Sequence, residues 1–274
     1  MSKGNVGGSE LKLEVGFQTD TGRVRGRNED SLVVERDMAL FVVSDGMGGE
    51  EHGEIASAIA IAVISKHCRD GLADPALPLE GPPSPQFTPA SNRLRSAIRC
   101  AHNSIYRLAA ADPTLHGMGA TVVAGWLQDG TLSLAHVGDS RAYRLRLGRI
   151  EQITRDHSLV AEQVRLGLLT DEQAAASKLQ TILTRALGHT ENVEVDLQEH
   201  TIMEADTFLL CSDGLSRMVP DPVIANAIEE SLSLQTASDR LIELANRAGG
   251  EDNITAILFR PAPQPRGWLQ RIWR

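Results

Sequence analysis

Apolar positions along the chain follow two rhythms. Short runs rich in β-branched and aromatic residues, bounded by Gly, Asp or Asn, predict strands at Leu13 to Phe17, Ser31 to Glu35, Ala39 to Ser44, Ala120 to Leu127 and Thr131 to Val137. Further strands are predicted at Ala142 to Leu147, Ile150 to Thr154, 193–200, 206–212 and Ile254 to Phe259. Helical spacing marks Glu51 to Lys66 and Asn92 to Ala111, where Leu94, Ile98, Ile105 and Leu108 share a side, and then 157–187, 221–231 and 234–248. Tight turns such as Asp129-Gly130 and Gly148 join the middle strands, which predicts antiparallel pairing. Residues 69–92 hold six of the twelve prolines and read as a surface loop rather than a domain boundary. Strand runs interspersed with helix pairs predict an α+β fold, with stacked antiparallel sheets and helices outside them.

Composition narrows the class. The 274 residues are 42% hydrophobic and 23% charged, a globular mixture. The pattern divides into a flexible Gly/Ser start at 1–11, a single domain over 12–260 and a tail at 261–274. The longest apolar run, Ile55 to Ile64, is broken by Ser57 and falls short of the ~20 residues that cross a bilayer. The N-terminus lacks the apolar stretch of a secretory signal. Cys68, Cys100 and Cys211 are scattered and odd in number, which argues against a disulfide framework and points to a reduced, cytoplasmic setting. A net charge of −9, with no basic block before the last residues, excludes a non-specific nucleic-acid binder. In the tail, Trp268, Leu269, Ile272 and Trp273 would share one face of a short helix beside Arg266, Arg271 and Arg274, suited to docking on its own domain or to a partner or membrane surface. A monomer is expected.

The carboxylates sit where chemistry needs them. Apolar strands end in Asp45-Gly46, Asp213-Gly214 and Asp139-Ser140, while Glu29-Asp30 opens the second strand and Glu251-Asp252-Asn253 the last. Asp-Gly is also the commonest hairpin signal. Asp45-Gly46 and Asp213-Gly214, however, lead towards helices, where a hairpin has no partner strand. Acids gathered at one sheet edge repel unless a cation sits among them, and hard divalent ions prefer such oxygen donors. Competing chemistries are weak: there is no GxxxxGK[ST] loop, no GxSxG elbow and no HExxH pair. His136 inside a strand reads as structural, Cys211 as a packed thiol and Asn253-Ile-Thr255 as a chance sequon.

The ordered motifs RxxNED (Arg25 to Asp30), SDGMGG (Ser44 to Gly49), GMGAT (Gly117 to Thr121), VGDSR (Val137 to Arg141), TRDHS (Thr154 to Ser158), LTRALG (Leu183 to Gly188), SDGL (Ser212 to Leu215) and EDNIT (Glu251 to Thr255) are together specific. With Gly53-Glu54, the set resembles the bacterial branch of the metal-dependent type 2C serine/threonine protein phosphatases across residues 12 to 260. The resemblance implies a four-layer α-β-β-α sandwich and hydrolysis of phosphoserine and phosphothreonine on proteins by a metal-bridging hydroxide, opposing a Ser/Thr kinase. It also implies two tightly bound Mn²⁺ or Mg²⁺ ions. Asp45 would bridge them with the Gly46 carbonyl on one, Asp213 and Asp252 would hold the first, and Glu29 would lie on the side of the second with Asp30 behind it. Asp139 matches a residue that helps hold a looser third ion, and Arg25 matches the phosphate-binding arginine.

Four positions depart from the family pattern. Met47 and Glu50 stand where some relatives carry His, Ser177 to Thr181 replaces a flap segment reading HPxRN, and Arg217 replaces an acid near the third ion. If Arg217 points into the cleft, it pairs with Asp139 and Asp213 and takes the place of that ion. The same residue supports a second reading, a catalytically weak relative that binds phosphoproteins or senses metal.

Overall fold

The computed structural model describes residues 12–48 and 52–262. The expectations for the 1–11 start, for Glu50 and for the tryptophan-bearing tail after Ala262 lie outside the described residues. With strands numbered in chain order, one sheet runs β1 (Leu13–Asp20), β11 (Ile254–Pro261), β10 (Asp206–Cys211), β7 (Arg141–Arg146) and β8 (Arg149–Gln152). The other runs β2 (Asp30–Glu35), β3 (Leu40–Met47), β5 (Val122–Gln128), β6 (Thr131–Val137) and β9 (Asp196–Thr201), with the short β4 (Gly119–Ala120) against the end of β3. Every pairing is antiparallel, as the turns predict.

Alternation along the strands builds the layers. Leu40 and Val42 face helices α1 (Gly53–Ala73) and α2 (Pro89–Ala111), whereas Phe41 and Val43 face the other sheet. In β10, Phe208 and Leu210 turn inward, and Leu209 and Cys211 pack under α6 (Asp221–Glu229) and α7 (Leu234–Arg247). Strands covered on both faces read as continuous apolar runs, which is why the sequence shows them so clearly. Helices therefore flank both sheets, giving the four layers α-β-β-α. Phe41 and Phe259 stack across the sheets with ring centroids 4.2 Å apart, and Phe208 lies 5.4 Å from Phe259. Gly16 is required where β1 meets α7, because a Cβ there would come within 2.1 Å of the Leu234 backbone.

Three boundaries differ from expectation. Helix α1 runs through Gly71 to Ala73, and α2 begins at Pro89, capped by Thr88 Oγ1 accepting from Ser91 N–H, so the proline-rich loop narrows to 74–88. Proline at the first helical position loses no hydrogen bond, so it starts this helix instead of excluding it. The 157–187 region holds only α3 (Leu159–Arg165) and α4 (Asp171–Ala175). Gly167, at φ +70°, ends the first of these, and Leu183 and Leu187 leave helical geometry to bridge Ser158 and Ala120. A one-turn helix, α5 (Asp213–Ser216), and β4 had no periodic signal of their own.

Because Phe259 is fully buried and joins both sheets, Phe259→Ala is expected to cost about 3–5 kcal/mol in urea unfolding. A loss below about 1 kcal/mol would show that the sandwich does not rest on this stack.

Candidate metal centre

Strand ends from both sheets meet at one edge of the sandwich. Asp45 stands at the end of β3, Asp213 just past β10 at the start of α5, Asp139 in the β6–β7 turn and Asp252 before β11. With Glu29, Gly46, Arg25 and Arg217 they line an open cavity of about 180 Å³. The sequence-predicted residues thus converge, apart from Asp30, which lies behind the cavity. Its Oδ2 accepts hydrogen bonds from Ser212 Oγ (2.7 Å) and Thr255 Oγ1 (2.6 Å), and it pairs in register with Asp45.

Glycines let these segments close on one another. A Cβ on Gly46 would lie 2.0 Å from the Gly53 carbonyl, and one on Gly214 would lie 2.1 Å from the Asn253 carbonyl. Gly138, at φ +105°, turns the chain so that Asp139 enters the cavity.

Two residues without a role in the sequence reading hold the acids in place. Thr121 Oγ1 accepts from Asp45 N–H (3.1 Å) and lies 2.6 Å from Ser140 Oγ, while its own N–H donates to the Asp45 carbonyl (2.8 Å). Asn253 Oδ1 accepts from Glu29 N–H, and its Nδ2 donates to the carbonyls of Thr21 and Arg27, clamping the loop that carries Arg25. Their signals were the GMGAT and EDNIT motifs, whose non-acidic members carry no chemistry by composition alone. Arg25 sits at the rim, half exposed, with Nη2 2.8 Å from Asp252 Oδ2.

The electrostatics of this edge are unfavourable for bare carboxylates. Burial, reinforced by Asp30, Asp213, Asp139 and Asp252, pushes Asp45 well above the usual carboxylate range. Burial and Asp213 raise Asp139 to about 7 against the pull of Arg217, and burial likewise raises Asp30 to about 7. Asp213 is raised too, and among the described residues its Oδ1 and that of Asp30 are buried without a hydrogen-bond partner. An unpartnered carboxylate oxygen on Asp213, a residue lining a polar cavity with further acids, fits a divalent cation.

A family model described as protein phosphatase 2C matches residues 23–258. The chain belongs to the protein phosphatase 2C family. It is 38% identical to the serine/threonine phosphatase stp of Listeria welshimeri over 88% of this chain and 93% of that protein. The crystal structure of the Mycobacterium tuberculosis serine/threonine phosphatase PstP/Ppp superposes with a TM-score of 0.80 at 35% identity, covering 92% of this chain and 99% of the other. A structure of the PstP catalytic domain in complex with two manganese ions gives a TM-score of 0.76 at 35% identity, covering 90% and 97%.

Elsewhere in this phosphatase, His136 is packed as the sequence suggests. Its ring stacks on His157 with centroids 4.7 Å apart, and its Nε2 lies 2.8 Å from the Arg155 carbonyl. His157 Nδ1 accepts from Gly138 N–H, and burial, with His136 and Arg185 nearby, pushes it down to about 4. With Asp196 these two histidines have metal-like spacing, but none of the three lines the cavity. Arg185 already occupies the group, 2.6 Å from Asp196 and 3.3 Å from His157 Nε2.

Acids raised from 3.8 to about 7 hold protons in the folded, metal-free state that the unfolded chain has released. Metal-free stability therefore falls as pH rises through that window, while a bound cation takes the place of those protons. The gain in melting temperature on adding Mn²⁺ to chelator-treated protein is expected to grow from pH 5.5 to 7.5. A gain independent of pH would contradict the crowding.

Proposed function

We propose that this phosphatase removes phosphate from phosphoserine and phosphothreonine on proteins at the acidic cavity, with two divalent cations, Mn²⁺ or Mg²⁺, held by Asp45, the Gly46 carbonyl, Asp213, Asp252 and Glu29. The observation that carries this reading is the set of carboxylates forced together at one edge, with buried oxygens of Asp30 and Asp213 that have no hydrogen-bond partner among the described residues. The manganese complex of the PstP catalytic domain supports the choice of ion. When bound, such a pair supplies Lewis acidity toward the phosphoryl oxygens and lowers the pKa of coordinated water.

The protein's own groups do the rest. Among the described residues lining the cavity there is no Ser, Cys or His; of its two hydroxyls, Thr121 Oγ1 is committed to Asp45 N–H and Ser140, and Thr181 has no His or Cys beside it in the cavity to activate it. Water is accordingly the nucleophile in this reading, and the protein forms no covalent intermediate. Arg25 reaches across the rim from the Asn253-clamped loop, and its planar fork is suited to two phosphoryl oxygens while Asp252 orients it. Asp30, tied to Ser212 and Thr255, sets the depth of Asp45 through strand pairing. Arg217 takes one corner and leaves Asp45, Asp252 and Glu29 in the same cavity, so the reading as an inactive relative loses its main support. The reading includes a cytoplasmic protein opposing a Ser/Thr kinase, supported by three free cysteines. Among the described residues no helix is long and apolar enough to cross a membrane.

Asp45→Asn is expected to fold, because one of several repelling acids is removed, and to lose at least ~10²-fold in turnover of p-nitrophenyl phosphate with Mn²⁺. Near-normal turnover in the folded variant would reject the assignment. Arg25→Ala should both raise KM and lower kcat, since the grip tightens as charge builds on the phosphoryl oxygens. An unchanged kcat/KM would make Arg25 a solvated loop residue.

A further inference from the structure

Arg217 is the first residue past α5, and its side chain folds back over that helix into the cavity. A single nitrogen, Nη2, lies 2.8 Å from Asp213 Oδ2, 2.9 Å from Asp139 Oδ2 and 3.3 Å from the carbonyl oxygen of Gln180. The side chain is only one-fifth exposed. The guanidinium therefore sits between two buried acids from different strand ends and touches the 176–183 segment, whose Thr181 and Leu183 line the same cavity.

A divalent cation shared by Asp139 and Asp213 would compete for the same two carboxylates that Arg217 now holds, and its charge would repel the guanidinium at contact distance. The two occupants exclude each other. We propose that Arg217 is the resident cation of this corner, a positioning residue that aligns Asp139 and Asp213, restricts the cavity to two divalent ions and ties the 176–183 segment over its mouth. The inference rests on the metal reading above but makes a separate statement, about how many ions the cavity admits and what holds the segment.

The test has two readouts besides activity. Mn²⁺ stoichiometry is measured by equilibrium dialysis on chelator-stripped wild type, Arg217→Ala and Arg217→Lys. Trypsin cleavage after the exposed Lys178 is followed on the same metal-free proteins. Wild type should bind two ions, Arg217→Ala three, and Arg217→Lys two again, because the charge is restored. Cleavage after Lys178 should become about fivefold faster in Arg217→Ala, the effect of losing one modest hydrogen bond. If Arg217→Ala does not fold without metal, Arg217→Met keeps the packing of the stem and takes its place. Three ions in wild type, or the same count in wild type and Arg217→Ala, would overturn the proposal. No bound Mn²⁺ in any of the proteins would instead overturn the metal reading on which it rests.

Discussion

Like-charge repulsion at one edge of the sandwich is the constraint around which the rest of the molecule is arranged. Burial raises Asp45, Asp139 and Asp213; Asp30, Asp213, Asp139 and Asp252 raise Asp45 further, Asp213 raises Asp139 and Asp252 raises Asp213, while Asp30 lies behind them. A flexible chain would let them part. Here backbone pairing, Thr121 and Asn253 prevent it, through contacts that join residues 76 and 224 positions apart in the sequence. The conflict is kept in the fold, and at one corner of the cavity the guanidinium of Arg217 answers it.

The layered core makes that conflict sustainable. Each acid follows or precedes a strand whose side chains alternate between two apolar interfaces, so moving one carboxylate outward would disturb packing on both faces of a sheet. The stack of Phe41, Phe259 and Phe208 ties β3, β11 and β10 together, and these strands lead to Asp45, Asp252 and Asp213. Core packing and site geometry are therefore one problem. The 157–195 region has shorter elements and fewer buried apolar residues, and it meets the cavity through Thr181, Leu183 and Gln180.

Much of this was legible in the sequence because the physics was local. Doubly covered strands appear as apolar runs, and Asp-Gly pairs leading to helices declare themselves at strand ends; charge complementarity allowed Arg217 a place in the cavity but left a solvent-facing side chain equally open until the structure placed it against Asp139 and Asp213. What escaped depended on context. Pro89 reads as a loop residue until its place at the first turn of α2 is known, and Gly71 sits unbroken inside α1. The helical spacing across 157–187 gave way where Leu183 and Leu187 found bridging partners far along the chain. Thr121 and Asn253 act through hydrogen bonds that no periodicity records.

Anomalous X-ray scattering from crystals grown with Mn²⁺ decides whether the crowded carboxylates form a divalent-cation centre. Two manganese peaks are expected within the cavity, both beside Asp45, one also against Asp213 and Asp252 and the other on the Glu29 side. A cavity without manganese at saturating concentration, or with manganese bound only at the His136, His157 and Asp196 group, would contradict it.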